Sequence, residues 1–224
     1  LLAKTKSRIY CVIREKDNIN AIERFYEKFH FYFPNENLRN YSHRINLITG
    51  NILKDNFNLP DEQYDFLGNN IDCVISSAAL VKHYGKYEEF YNTNVAGTKK
   101  ITDFCIKYNI PLHYISTISV SGYGLVKSPE TTFTEKDFYI GQSYEDNVYV
   151  KSKFEAEKLI LNACKNDNLC ATIYRMGNIT NRFSDGVFQQ NASENAFLNR
   201  ISAVINLHCI PEELLHFPIE FTPV

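Results

Sequence analysis

Residues 112–118, LHYISTI, are apolar through the middle and close on two hydroxyls, Ser116 and Thr117. The run is too short for a helix and does not alternate strictly, which is how a strand covered on both faces reads. Four more runs of the same kind surround it: 8–14 (RIYCVIR), 44–50 (RINLITG), 71–77 (IDCVISS) and 170–175 (CATIYR). Between them lie stretches at helical spacing, 19–32 (Ile22, Phe25, Tyr26 and Phe29 on one side), 86–108 and 147–165. Strand and helix in this alternation predict right-handed βαβ units and a doubly wound, parallel α/β sheet. Residues 53–70 and 120–146 are polar and rich in Asp, Asn and Pro, and are expected to be long connections. Beyond residue 180 the pattern loosens into one helix near 191–206 and a Pro-bounded tail. The chain therefore divides into an α/β unit over 1–180 and the beginning of a smaller lobe over 181–224.

Composition narrows the function. Hydrophobic residues are 44% and charged residues 22%, the balance of a globular chain rather than a disordered one. Lysine and arginine number 24 against 26 acidic residues, so a nucleic-acid grip built on bulk positive charge is excluded. No apolar run reaches the length that spans a bilayer, and no signal peptide opens the chain. Six scattered cysteines without a CxxC pair read as reduced core residues of a cytoplasmic protein, and no His or Cys pair has the spacing of a zinc site. No metal is expected. The start at Leu1-Leu2-Ala3-Lys4 and the stop at Phe221-Thr222-Pro223-Val224 both look cut.

Ligands of an open α/β sheet bind at the carboxyl ends of its strands. There the sequence delivers Ser116-Thr117, then Ser76-Ser77-Ala78-Ala79 after 71–77, with Asn94 on the next helix and Tyr149…Lys153 opening a later one. YxxxK is a weak signal alone, since a second copy, Tyr123…Lys127, stands among Gly122, Gly124 and Pro129. The copy at 149–153 lies in SKFEAEKLIL, a good helix former, which sets the ammonium beside the phenol at i, i+4. A cation there favours phenolate and would make Tyr149 a proton donor near neutrality. The competing reading is an exposed tyrosine and a solvated lysine on a surface helix.

The ordered set IDCVISSAA, NTNVAGT, YISTISVSGYG, YVKSK and IYRMGN resembles the extended short-chain dehydrogenase/reductases. Within them, CVIR, SSAALVKHYG, EEFYNTNVAGTKK, NVYVKSKFEAE and RMGNITNR…DGVFQQN are most similar to the terminal thioester reductase domains of nonribosomal peptide synthetases, kin of the carboxylic acid reductases. The resemblance implies a Rossmann-type fold and a catalytic triad at Thr117, Tyr149 and Lys153, with Asn94 in support. It also implies a carrier-protein-bound phosphopantetheine thioester as substrate, upstream synthetase domains as partners, and release of an aldehyde or alcohol. Cofactor contacts fall on Arg14, Gly50, Asn51, Ile52, Ala78, Ala79, Lys82, Lys153, Gly177 and Asn178. Arg14 at the end of the second strand of such a fold, where NAD enzymes carry an acid, points to NADPH. Asn51 departs from the family's Gly-Asp. None of the nine glycines forms a Gly-rich phosphate turn, so the first strand and that turn are expected to precede Leu1. An NAD-dependent nucleotide-sugar epimerase or dehydratase, and a non-catalytic nucleotide-binding module, stay open as alternatives.

Overall fold

A computed structural model describes residues 1–82, 84–122, 131–212, 215 and 222–224. Its five strands follow the apolar runs: β1 (Ile9–Ile13), β2 (Ile45–Thr49), β3 (Val74–Ser76), β4 (Leu112–Thr117) and β5 (Ala171–Met176). All pairings are parallel, β1 with β2 and β4 between β3 and β5. The ladder thus comes in two pieces. The sides of β1 and β3 away from those partners have no ladder neighbour among the described residues.

One core nevertheless unites the pieces. Ile48 of β2 belongs to the same buried cluster as Leu112 and Tyr114 of β4, and Tyr10 and Val12 of β1 pack against it. The helices that cover it are α1 (Ala21–Tyr32), α2 (Asp61–Asn70), α4 (Gly97–Tyr108) and α5 (Val148–Asn166), with a short α3 (Tyr87–Phe90) leading into α4 through one π-helical segment, Tyr91–Ala96. Such π segments leave the regular i→i+4 ladder and are frequent at functional sites. Of the apolar side of α1, Phe25 and Phe29 are half-buried while Ile22 and Tyr26 face solvent.

Two expectations need correction. Residues 53–70 are not one long loop: a 3₁₀ turn (Asp55–Asn58) and the ten-residue α2 fill them. Pro60 pre-sets the entry, Asp61 and Glu62 sit in the first turn, and Tyr64, Leu67 and Gly68 bury one stripe. Gly68 is needed there because a Cβ would lie 2.4 Å from the Tyr108 ring. Nor are all the cysteines in the core, for Cys105 is buried but Cys73, Cys170 and Cys209 are exposed near element ends. The described cysteines are all free.

The connection 120–146 begins as a 3₁₀ turn (Ile118–Ser121), and residues 123–130, with Tyr123 and Lys127, lie outside the described residues. Residues 131–146 have no regular structure yet are tied down. The buried Gln142 donates to the carbonyls of Val120 and Phe138 and accepts from the Ile140 amide. Phe138 and Tyr144 stack on Phe154 of α5 at 4.3 and 3.8 Å between ring centres. Gly122, at φ +67°, lets this segment pass, since a Cβ would meet the Ser143 carbonyl oxygen at 2.2 Å.

Past β5, a 3₁₀ turn (Ala192–Glu194) precedes α6 (Ala196–Leu207). This part leans on α1: the Arg182 guanidinium and the Gln190 amide donate to the Tyr32 carbonyl and phenol.

Candidate active site

The carboxyl ends of the strands gather nearly all the polar residues singled out in the sequence. Arg14 directly follows β1 and is exposed; its carbonyl accepts from Arg24. Gly50 directly follows β2, donates to the Ile13 carbonyl at 3.0 Å, and is so enclosed that a Cβ would fall 2.6 Å from Val12 and 2.9 Å from the Phe57 carbonyl. Asn51 turns its side-chain oxygen onto the Leu53 amide at 3.0 Å, and Ile52 packs near Gly97. Beyond β3 come Ala78 and Ala79, then the exposed Lys82, while His83 lies outside the described residues. Gly177 and Asn178 directly follow β5.

Local sequence sets the start of α5. Asn147 caps α5, its side-chain oxygen accepting from the amides of Tyr149 at 2.9 Å and Val150 at 3.2 Å. Tyr149 is thereby the second residue of α5, and Lys153 follows one turn later. Thr117 ends β4 and caps the next turn, accepting from the Ser119 amide at 3.2 Å. Its side chain lies close enough to the Tyr149 phenol to pull that group toward its ionised form, which brings two members of the expected triad together.

Lys153 departs from expectation in one respect. It is 2% exposed, and its Nζ donates to the Tyr114 phenol at 2.7 Å and the Ile115 carbonyl at 2.8 Å. The ammonium also lies 4.0 Å from the centre of the Tyr114 ring. Its charge is therefore spent on β4, and Tyr149 is not lowered: burial holds its phenol above the usual value, with the Thr117 side chain pulling the other way. Burial lowers Lys153 itself to about 8, opposed by the negative charge of Glu157.

Asn94 sits in the π segment at 1% exposure. Its amide donates to the Leu80 carbonyl and the Ser152 hydroxyl, and its oxygen accepts from the Leu80 amide at 2.7 Å. One side chain thus pins the turn after β3 to α5.

Three residues in this neighbourhood carried no sequence assignment. Glu157 is fully buried on α5; it accepts from Ser116 Oγ at 2.5 Å and from Arg175 at 2.8 and 3.1 Å. Tyr114 holds Lys153. Ser76, at the end of β3, has a buried hydroxyl with no hydrogen-bond partner among the described residues. A readable signal existed for the first: the buried stripe of α5, Val150, Lys153, Phe154, Glu157 and Ile160, carries two ionisable residues where apolar ones belong.

Comparison with known proteins adds the following. The profile of the NAD-binding "male sterility protein" family matches residues 1–224. The thiolation-reductase di-domain of an archaeal non-ribosomal peptide synthetase superposes with a TM-score of 0.84 at 34% identity, over 99% of this chain and 58% of that one. The L-2-aminoadipate reductase large subunit of Candida glabrata is 25% identical over 215 residues, 92% of this chain and 15% of its own length. A UDP-glucuronic acid 4-epimerase from Bacillus cereus, at 19% identity and a TM-score of 0.56, shares the fold. The chain spans 3% to 17% of the length of the curated relatives it matches.

Proposed function

Because the chain belongs to the male sterility protein family over all of residues 1–224, we propose that it is the nucleotide-binding part of a reductase that releases a carrier-bound acyl or peptidyl thioester as an aldehyde. The observation that carries this reading is the convergence of Thr117, at the end of β4, with Tyr149 in the first turn of α5, Lys153 being buried one helical turn behind. The reductase likeness over nearly the whole chain supports it, and the epimerase likeness extends to the fold alone.

The residues present fit a dinucleotide. The Ser76 hydroxyl, without a hydrogen-bond partner among the described residues, and the small Ala78 and Ala79 stand at a strand end where backbone must approach a ligand closely. Arg14, Asn51 and Ile52 would hold the adenosine side, and Lys82, Gly177, Asn178 and Lys153 the remainder. A bound reduced nicotinamide supplies the hydride.

The protein's share is electrostatic and positional. As hydride reaches the thioester carbon, negative charge grows on the carbonyl oxygen, and Thr117 and Tyr149 donate to it. Tyr149 then delivers its proton, giving a hemithioacetal. Collapse breaks the carbon–sulfur bond, and a thiol and an aldehyde leave. Lys153, which gives two of its three N–H donors to Tyr114 and the Ile115 carbonyl, would give the third to the nicotinamide ribose. Asn94 keeps the cofactor turn and α5 in register through Leu80 and Ser152. The smaller lobe, from residue 181 onward, contributes to the acyl pocket.

Mixing the protein with a carrier-bound or coenzyme A thioester and a reduced nicotinamide should consume the cofactor, read as loss of its absorbance, and yield free thiol. Folded protein that consumes none across varied acyl chains would refute the reading.

Cofactor preference has its own test. Arg14 suits a 2′-phosphate, which a guanidinium meets in bidentate fashion. Arg14→Glu is expected to weaken NADPH roughly ten- to a hundredfold, the size of one charged hydrogen-bonded pair, and NADH far less. Equal losses in calorimetric titrations with the two cofactors would make Arg14 a structural residue.

A further inference from the structure

Three ionisable side chains share one buried region beneath the site, two of them in direct contact. Lys153 and Glu157 stand one turn apart on the buried stripe of α5, and Arg175 reaches in from β5. Glu157 is 0% exposed, so its charge is uncompensated by water and must be balanced by protein. Arg175 supplies part of the balance through a forked contact, Nη2 at 2.8 Å and Nε at 3.1 Å from Oε2. Ser116 fixes the second oxygen at 2.5 Å. The far side of Arg175 donates to the Asp137 carbonyl at 2.8 Å, so the same guanidinium also fastens the 131–146 segment that packs on α5.

We propose that Glu157 is a positioning residue whose single buried carboxylate is shared as counter-charge by Lys153 and Arg175, keeping Lys153 in the charged form that the chemistry requires. The role in turnover rests on the reading of Lys153 given above; the sharing of charge does not. The Lys153 ammonium is held by the Tyr114 phenol and the Ile115 carbonyl of β4, and Glu157 stands one turn along the same buried stripe of α5 with Arg175 of β5 ion-paired to it. Among them Glu157 is the acid, and it acts against the burial that brings Lys153 down to about 8.

The sign follows. A lysine loses its charge as pH rises through its pKa. Removing the nearby anion lowers that pKa; removing the cation behind it raises it. A residue that merely held the fold would move neither.

The full chain, labelled with ¹³C at lysine Cε, reads this directly by NMR, the Lys153 signal being assigned by its loss in Lys153→Arg. The wild-type midpoint is expected near about 8. Glu157→Gln, which keeps the shape and loses the charge, should lower the midpoint by about one pH unit. Arg175→Gln should raise it. The alkaline limb of thioester reduction should shift in the same directions. Midpoints that stay in place in both variants, or move the same way, would overturn the proposal. If Glu157→Gln does not fold, an unmoved or lowered midpoint in Arg175→Gln overturns it alone. Opposite shifts in a chain that reduces no thioester would uphold the charge sharing and refute the reductase reading.

Discussion

Replacing Tyr149 by phenylalanine is expected to lower thioester turnover by roughly two to three orders of magnitude, the usual cost of losing an oxyanion donor together with a proton source. The ring stays, and the helix cap from Asn147 engages only the backbone of Tyr149, so α5 should form as before. Thr117 loses a neighbouring hydroxyl but keeps the Ser119 amide, which leaves the end of β4 in place. Circular dichroism and cofactor affinity should therefore stay close to those of the native chain while turnover collapses. A variant that retained most of its activity would move the proton donor elsewhere, and Tyr123 would be the next residue to test.

Lys153→Ala should cost turnover by roughly two orders of magnitude and also weaken the cofactor about tenfold, a combination that separates it from Tyr149→Phe. The substitution removes a donor to two groups of β4, Tyr114 and the Ile115 carbonyl. It also removes one of the two cations in the buried region of Glu157, leaving Arg175, which is ion-paired to it. Parallel calorimetry and steady-state kinetics check both effects. Loss of turnover with unchanged cofactor affinity would show that Lys153 acts on Tyr149 alone.

How far these residues could be read without coordinates differs from place to place. Strands were legible because every position of LHYIST and IYCVI is buried or half-buried, on both faces, and a parallel strand so covered leaves an uninterrupted apolar signature. The site followed from topology: once the strands were placed, Thr117, Gly50 and Gly177 had to stand at their carboxyl ends. Helix α2 was not legible, because its stripe is narrow and Phe66, its largest apolar residue, is 48% exposed. The direction of Lys153 was not legible either. Spacing of i, i+4 sets two side chains on one helix face, but the partner across the interface, Tyr114, decides where a long side chain ends. The same holds for Glu157 and Arg175, which are 18 positions apart in sequence and meet only when α5 packs on β5. Asn94 lay between the two cases: its place near the site was readable, and its three hydrogen bonds to Leu80 and Ser152 needed the structure.

Transfer of label from the cofactor tests the central claim most directly. The protein is given a carrier-bound thioester and a nicotinamide bearing deuterium at its transferable position, and the released product is examined by mass spectrometry and proton NMR. A reductase of the kind described places one deuterium on the carbonyl carbon of the aldehyde, one free thiol appearing for each reduced cofactor consumed. Release of the acyl group as a carboxylic acid, or an aldehyde without deuterium, would contradict it.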